Sequence, residues 1–220
     1  MTTEGYVPAP SSTPTRLRER VGYDRAAVHA VLDEATVCHL GFVADGLPVV
    51  LPHLYARSGD ELYLHGSSGA RALRAAGGEG LAVCVTVTLT DGLVLARSAF
   101  HHSINYRCVV AHGIATVVSE PGEKAEALAA LVDAVIPGRS AEVRGPSARE
   151  LAATTVLRLP LEEVSLKVRT GPPVDEPEDL DLPYWAGVLP LATLPGAPLR
   201  APDLTHGIAV PAHVSSWPSR

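Results

Sequence analysis

The sequence predicts a mainly β, α+β fold: an antiparallel barrel or sandwich with helices at its periphery. Two observations lead to this prediction. Short apolar and β-branched segments are separated by turn dipeptides such as Asp45-Gly46 and Asp91-Gly92, which are strong hairpin signals. Strands and helices also do not alternate along the chain, which disfavours a parallel nucleotide-binding sheet. About six strands and three or four helices are therefore expected.

The first half of the chain should contain a helix, three strands and a second, shorter helix. Asp24 is a suitable N-cap for a helix that ends near Ala35, because the apolar residues between them fall at helical spacing. Apolar, β-branched runs between turns then predict the three strands. The predicted strands span residues 36–44, 47–57 and 61–65, and the second helix spans residues 70–76.

The second half should contain further strands and two helices. Pro121 suits the first turn of a helix, and Pro137-Gly138 should end it. Ser147 and Glu150 have capping-box spacing for a helix that ends near Thr154. The predicted strands span residues 81–89, 93–96, 106–118 and 155–169, the last of these as one continuous strand.

Composition divides the chain into three parts. Residues 1–20 have a Thr-, Ser- and Pro-rich start and are expected to form a flexible segment. Residues 21–191 carry the strand and helix signals and should form one folded domain. Residues 192–220 are mostly Pro, Ala and short polar residues, so a tail is expected that is either disordered or laid across a partner subunit.

Charge and composition argue against several classes of partner. The net charge is −6, and the 18 Lys and Arg residues are scattered along the 220-residue chain, so neither nucleic acid nor an anionic membrane is an expected partner. No stretch has the apolar length of a membrane span or a signal peptide, so the protein is expected to be cytoplasmic. The three cysteines stand far apart, which indicates neither a disulfide framework nor a zinc site.

Familiar catalytic and nucleotide-binding motifs are absent from the sequence. There is no Gly-x-Gly-x-x-Gly, no P-loop and no Gly-x-Ser-x-Gly elbow. Nine histidines are present, and several sit singly in apolar strand segments, where a hydrogen-bonded structural role is the commoner one. They leave a haem or metal alternative open, although no metal site is predicted. These strand histidines are His39, His53, His65 and His112.

The segment from Leu62 to Leu73 is the most informative stretch of the chain. An apolar strand runs into a hydroxyl-rich loop and then into a helix that opens with a cation, a combination that can hold a phosphate through backbone amides, hydroxyls and a guanidinium. The alternative is an ordinary strand-to-helix turn. The residues that would form the phosphate site are His65, Gly66, Ser67, Ser68 and Arg71.

Two later regions could complete a ligand site. Residues 98–113 place a crowded polar group before a strand that carries Arg107, although such groups can also satisfy one another. Lys167 and Arg169 are two residues apart and would share one strand face, which concentrates positive charge toward an anion. Trp185 offers a flat surface for an aromatic ring, although a tryptophan there can also serve packing alone.

These regions, in this order, resemble the pyridoxamine 5′-phosphate oxidase-like family of FMN-binding split-barrel proteins, in particular the subgroup related to nitroimidazole-resistance reductases. The resemblance runs from about Asp24 to Leu191. It rests on several motifs taken together. They are Thr36-Val37-Cys38-His39-Leu40-Gly41-Phe42, Val50-Leu51-Pro52-His53-Leu54-Tyr55, the Leu-Tyr-Leu-His-Gly-Ser loop, Tyr106-Arg107-Cys108-Val109-Val110, the helix from Pro121 and Trp185-Ala186-Gly187.

The resemblance implies a six-stranded antiparallel split barrel that forms a homodimer, with FMN in two equivalent clefts at the subunit interface. It implies that the loop from His65 to Ser68, with Arg71, holds the FMN phosphate. His53 would lie beside the isoalloxazine ring. The remaining flavin contacts implied by the family, partly from the other subunit, are Arg107, Cys108, Lys167, Arg169 and Trp185.

Two departures from the family pattern affect the expected activity. Cys108 stands where close relatives usually carry Ser, and a thiol is the weaker hydrogen-bonding group. The paired basic residues that bind pyridoxine phosphate in the true oxidases are not recognisable, so vitamin B6 oxidation is not supported.

The resemblance therefore favours an FMN-dependent oxidoreductase that acts on an unidentified small molecule. His65 or His53 could serve as its acid or base, because an imidazole can exchange a proton near neutral pH. Two alternatives remain open at this point. One is a flavin-binding carrier or sensor without turnover, and the other is a split barrel that binds haem.

Overall fold

Nine strands and four helices make up the described part of this computed structural model, which covers residues 5–69 and 80–217. Together they form a mainly β structure, as the sequence predicts. The strands are β1 (Val21–Gly22), β2 (Val37–Ala44), β3 (Leu47–Ser58), β4 (Glu61–Ser67), β5 (Leu81–Leu95), β6 (Ser103–Val117), β7 (Thr154–Pro160), β8 (Glu163–Arg169) and β9 (Gly187–Pro190). The helices are α1 (Arg25–Glu34), α2 (Pro121–Val135), α3 (Ala148–Ala153) and α4 (Ala212–Ser215).

Six of the strands close into an antiparallel ring. Their order around the ring is β2, β3, β4, β7, β6 and β5, and β5 pairs again with β2. The strands β8, β1 and β9 lie outside the ring, with β8 on β6, β1 on β8 and β9 on β5. This arrangement confirms the predicted six-stranded antiparallel split barrel.

The interior of the ring is filled by the alternate residues of its strands. Along β5, for example, Val83, Val85 and Val87 are buried, whereas the flanking residues Ala82 and Thr88 are exposed, as expected when one face of a strand packs on a core. The core also includes Leu40, Leu62, Leu64, Val109, Leu157 and Leu159.

Helix α1 packs against the barrel core. Its N-cap is Asp24, whose side chain accepts a hydrogen bond from the backbone N–H of Ala27 at 2.8 Å, as the sequence predicts. Val28, Val31 and Leu32 are buried on its inner side. The hydroxyl of Tyr55 on β3 donates to the carbonyl of Leu32 at 2.5 Å, so a strand side chain satisfies a carbonyl of the last helical turn.

The sequence prediction of a turn at Asp91-Gly92 is wrong. Strand β5 continues through this dipeptide, and its pairing with β6 shifts by one residue between Thr90 and Gly92. A β-bulge absorbs the extra residue without breaking the strand. Gly92 is needed for close packing rather than for a reversal of the chain, because a Cβ there would lie 3.0 Å from the carbonyl oxygen of Leu189 on β9.

The predicted strand over residues 155–169 is interrupted rather than continuous. Residues 161 and 162 separate β7 from β8, and both strands run antiparallel to β6, with the register shifted by one residue between the pairs Thr116–Arg158 and His112–Glu163. The backbone N–H of Leu161 donates to the carbonyl of Asp60 at 2.8 Å, so the interruption is tied to the turn between β3 and β4. Alternation of apolar residues continues through the interruption, which is why sequence periodicity did not reveal it.

The remaining predicted helices have mixed outcomes. Helix α2 begins at Pro121 and ends at Val135, and α3 begins after Ser147 with both hydrogen bonds of the capping box, so both are confirmed. The predicted helix over residues 70–76 lies outside the described residues. Within the described residues, no helix is long and apolar enough to cross a membrane.

Both terminal segments pack against the barrel at specific points. Tyr6 and Ser12 are buried, and the Tyr6 hydroxyl donates to Asp60 at 3.0 Å, although residues 1–20 were expected to be flexible. At the other end, α4 lies within the Pro-rich tail, and Trp217 lines a cavity beside Leu54. The domain boundaries at residues 21 and 191 stay predictions.

Candidate functional site

A cavity of about 530 Å³ lies between α2 and the neighbouring strands β3 and β4, and we call it the α2 cavity. Its walls are mainly apolar. The segment from residue 139 to residue 146, which follows α2, forms a further wall with two guanidinium groups. The residues that matter most for its chemistry are Leu54, His65, Leu128, Val132, Arg139 and Arg144.

His65 is the imidazole in the wall of the α2 cavity. It lies on β4 opposite Val156 of β7, and its neighbour Leu64 points into the barrel core, so alternation directs His65 outward toward α2. Its Nδ1 is buried and has no hydrogen-bond partner among the described residues. Burial lowers the pKa of His65, and the nearby His53 lowers it further to a smaller extent. The neutral ring, which can offer a lone pair, is therefore the favoured form.

His53 lies next to His65 but has a different environment. The two rings are in an edge-to-face arrangement with centroids 6.2 Å apart. The Nδ1 of His53 donates to the carbonyl of Leu54 at 3.0 Å, because a carbonyl oxygen can only accept. This hydrogen bond leaves Nε2 of a neutral His53 as a proton acceptor. The structure thus brings together the two histidines that the sequence proposed as acid or base.

A second cavity, of about 860 Å³, lies where the C-terminal end of α1 meets β5 and β6, and we call it the mouth cavity. Arg107 lies in its wall. The guanidinium donates to Asp91 at 2.8 and 3.0 Å and to Glu34 at 2.8 Å, with a further, shorter contact to Glu34. These two carboxylates raise the pKa of Arg107. The sequence predicted Arg107 as a flavin contact but gave no indication of its two acidic partners.

The two cavities are neighbours. Leu54 of β3 and Val135 at the end of α2 line both of them. The C-terminal segment also contributes to the mouth cavity, through residues 191–195 and Trp217. Sequence reasoning missed both cavities, because their walls combine residues of elements that are far apart in the chain.

The predicted phosphate loop is in large part strand, because His65, Gly66 and Ser67 are the last residues of β4, and its hydroxyl residues are exposed. Ser67 and Ser68 lie on the surface with Gly69. In this conformation the N–H of Ser68 donates to the carbonyl of Ala153 at 3.1 Å, and that of Gly69 donates to the Ser67 hydroxyl at 3.3 Å. Arg71 lies outside the described residues. The phosphate role of this loop therefore stays a prediction.

Cys108 and Lys167 are neighbours on adjacent strands. They pair directly between β6 and β8, and Thr88 pairs with Cys108 on the other side. The Thr88 hydroxyl donates to the Cys108 sulfur at 3.3 Å. This row of polar side chains lies on the outer surface of the sheet, where all three are at least partly accessible. The structure thus brings together two of the predicted flavin contacts.

Arg169 and Trp185 are placed differently from each other. Arg169 is buried, and its guanidinium donates to Asn105 and, at 3.1 Å each, to the carbonyls of Gly171 and Pro172. Its hydrogen-bonding capacity therefore serves the turn that follows β8, and the expectation that it shares an anion with Lys167 gains no support from these contacts. Trp185 is 69% exposed and covers Gly187, where a Cβ would lie 2.9 Å from its ring.

The chain matches a known family over most of its folded part. A family model described as pyridoxamine 5′-phosphate oxidase matches residues 24–168, well over half of the chain. The chain belongs to the pyridoxamine 5′-phosphate oxidase-like family. Among curated proteins, none matches it significantly. Membership agrees with the ring of six strands and with the order of the motifs on β2, β3, β4 and β6.

Two solved structures resemble this family member over nearly its whole length. The flavocytochrome Anf3 from Azotobacter vinelandii is 38% identical, with a TM-score of 0.89 over 95% of this chain and 97% of that chain. The FAD- and haem-binding protein from Mycobacterium smegmatis is 42% identical, with a TM-score of 0.84 over 89% of this chain and 95% of that chain.

A third structure is a more distant relative by sequence. It comes from Bacteroides thetaiotaomicron, is described in terms of 5-nitroimidazole antibiotic resistance, and is 21% identical with a TM-score of 0.57. It covers 67% of this chain and 86% of that chain. At this identity the likeness shows a shared fold.

Proposed function

We propose that this protein is a flavocytochrome: an oxidoreductase that binds a flavin and a haem in one split-barrel domain and passes electrons between a small-molecule partner and these groups. Two relatives at 38% and 42% identity, described as a flavocytochrome and as an FAD- and haem-binding protein, support the proposal. The observation that carries it is His65, an imidazole that lines the apolar α2 cavity and whose buried Nδ1 has no partner among the described residues.

The α2 cavity has the properties that haem requires. Its volume of about 530 Å³ is that of a typical ligand pocket, and its α2 wall is formed by Ala125, Leu128, Ala129 and Val132. An iron ligand must be a neutral imidazole, and burial of His65 favours that form. We therefore propose His65 as the protein ligand to the iron, which replaces its earlier assignment as an acid or base.

One arginine suits the polar edge of a haem. Arg139 and Arg144 both lie in the wall of the α2 cavity after α2, and their side chains are 40% and 71% exposed. Arg144 already donates from both terminal nitrogens to Glu150, at 2.9 and 2.8 Å, whereas Arg139 lies 3.8 Å from Glu142. A propionate group at the cavity opening would therefore find the guanidinium of Arg139, and arginine is well suited to bind carboxylates.

The flavin is proposed to lie outside the α2 cavity. The exposed hydroxyls of Ser67 and Ser68, with Arg71, would hold its phosphate, and Cys108 and Lys167 on the outer sheet surface would contact the ring. The family resemblance implies FMN, whereas one relative is described as binding FAD. Chromatography of the flavin released from the purified protein distinguishes these two cofactors.

The protein's own residues would bind and orient both groups, while flavin and haem supply the redox chemistry when bound. His53 is the side chain best placed to exchange a proton, because its Nδ1–H is held by the carbonyl of Leu54 and its Nε2 remains an acceptor. Arg107 is neutralised by Glu34 and Asp91, so we assign it to the shape and charge of the mouth cavity rather than to anion binding.

The family resemblance also implies a homodimer, and we propose one here. An exposed apolar surface on β2 and β3 supports it, because large exposed apolar patches commonly mark interfaces. The exposed fractions are 61% for Val43 and 64% for Val50. These two residues share one face of the β2–β3 hairpin, since Val43 pairs with Pro48 and Gly41 pairs with Val50, and alternate residues of a strand lie on the same face.

An absorption spectrum tests the proposed function most directly. The purified protein, reconstituted with haemin and flavin if it is isolated without them, should show a Soret band together with flavin absorption. His65→Ala should lose the Soret band and keep the flavin, whereas His112→Ala, a strand histidine outside the α2 cavity, should keep both. A wild-type protein that takes up flavin but no haem would leave a simple flavoprotein and refute the flavocytochrome assignment.

A further inference from the structure

The C-terminal helix α4 contacts the segment that forms one wall of the α2 cavity. The Nδ1 of His213 lies 3.3 Å from Glu142, and its Nε2 is buried without a partner among the described residues. The side chain of His213 is only 19% exposed. This residue from the Pro-rich tail is therefore inserted between protein groups rather than lying free on the surface.

Glu142 connects this tail residue to the cavity. It belongs to a 3-10 turn at Arg139–Glu142 that follows α2, and its carboxylate lies 3.8 Å from Arg139 in the cavity wall. The other end of the same turn is fixed to α2, because the backbone and hydroxyl of Ser140 both donate to Asp133 at 2.7 Å. Thus α2 holds one side of the turn and α4 holds the other.

We propose that His213 is a positioning residue for the α2 cavity: through Glu142 it holds Arg139 and the wall segment 139–146 in place, so the C-terminal tail sets how long a haem remains bound. The inference rests on the proposed function for the identity of the ligand. The contact itself does not depend on it. Four residues beyond His213, Trp217 lines the neighbouring mouth cavity, so the same short segment contacts the walls of both cavities.

Haem loss to excess apomyoglobin tests this inference. In His213→Ala the loss should be faster by up to about fivefold, because a single, partly exposed polar contact contributes modestly. Glu142→Gln should behave similarly, and the double variant should lose haem no faster than either single variant. His213→Gln, which keeps an N–H donor, should restore most of the retention. His206→Ala, an exposed histidine of the same tail, is the matched control.

Hydrogen exchange on the haem-free protein gives a second, independent measurement. Backbone amides of residues 139–146 should exchange faster in His213→Ala than in the wild type and in His206→Ala. Unchanged exchange of this segment together with unchanged haem loss would overturn the inference. If the wild type binds no haem, the proposed function fails, and faster exchange in His213→Ala would still establish the role of His213 in holding the wall.

Discussion

At the scale of single residues, His65 differs from the other strand histidines by its surroundings rather than by its sequence. Its neighbour Leu64 is buried in the barrel core, while His65 itself lines the α2 cavity, and its buried Nδ1 has no partner in the part of the chain that the structure describes. A buried polar atom without a partner costs free energy unless a ligand or water satisfies it. This is why His65, rather than His39 or His112, is the best candidate for cofactor binding.

Acid should destabilise the haem-free protein partly through His65. Burial lowers the pKa of His65 in the folded state below the ordinary value of 6.5. At pH values between the lowered pKa and 6.5, the unfolded chain therefore binds more protons than the folded protein does. Stability is then lost as the pH falls from neutrality through this range. Urea unfolding of wild type and His65→Leu from pH 7.5 to pH 5 should show a smaller loss in the variant.

The exposed His206 supplies the control for this measurement. His206→Leu removes a histidine that the tail leaves on the surface, so its pH dependence should follow that of the wild type. Equal pH dependence in wild type and His65→Leu would contradict the argument from burial.

At the scale of secondary structure elements, the bond from β3 to α1 joins a barrel strand to the helix packed on its core. The Tyr55 hydroxyl donates to the carbonyl of Leu32 at 2.5 Å and to that of Ala35 at 3.3 Å, and the side chain is 2% exposed. Both acceptors belong to the helix terminus, where carbonyls lack partners within the helix.

Tyr55→Phe should therefore destabilise the protein by about 1–2 kcal/mol, because it leaves a buried carbonyl without its donor. Urea denaturation followed by circular dichroism measures this difference. Tyr184→Phe removes the same hydroxyl at a position that is 62% exposed, and it should change the stability by less than about 0.5 kcal/mol. Equal effects of the two substitutions would refute the assigned role of the Tyr55 hydroxyl.

Prediction of helices and strands from the sequence succeeded where a local signal decides the structure. It failed where pairing with distant strands decides the structure. The helix-start signals at Asp24, Pro121 and Ser147 act within one helical turn, and all three helices begin as expected. The turn signal at Asp91-Gly92 was instead absorbed as a bulge, because β6 and β9 both pair with β5 there. Neither partner can be read from the local sequence.

The candidate site was predictable to a similar extent. Motifs indicated His53, His65, Cys108 and Lys167, and the structure places these residues as two adjacent pairs. The carboxylates around Arg107 come from Glu34 on α1 and Asp91 in the bulge. Their meeting depends on how the helix packs on the barrel, which composition and spacing do not reveal.

At the scale of the whole molecule, the proposed homodimer depends on the exposed surface of the β2–β3 hairpin. Val50→Lys would place a charge at a side chain that is 64% exposed in the single chain. Light scattering after size-exclusion chromatography should show the wild type as a dimer and this variant shifted toward the monomer. Val174→Lys, at a position 75% exposed beyond the barrel strands, should remain dimeric. A monomeric wild type would refute the proposed interface.

Two side chains, those of Leu54 and Val135, line both the α2 cavity and the mouth cavity. A molecule in one cavity would therefore restrict the rotamers of these two side chains that the other cavity offers. Thermodynamic linkage then requires reciprocity: if filling the α2 cavity changes the affinity of the mouth cavity by some factor, filling the mouth cavity changes the affinity of the α2 cavity by the same factor. Two aliphatic side chains would thus couple the two sites energetically without any movement of the barrel.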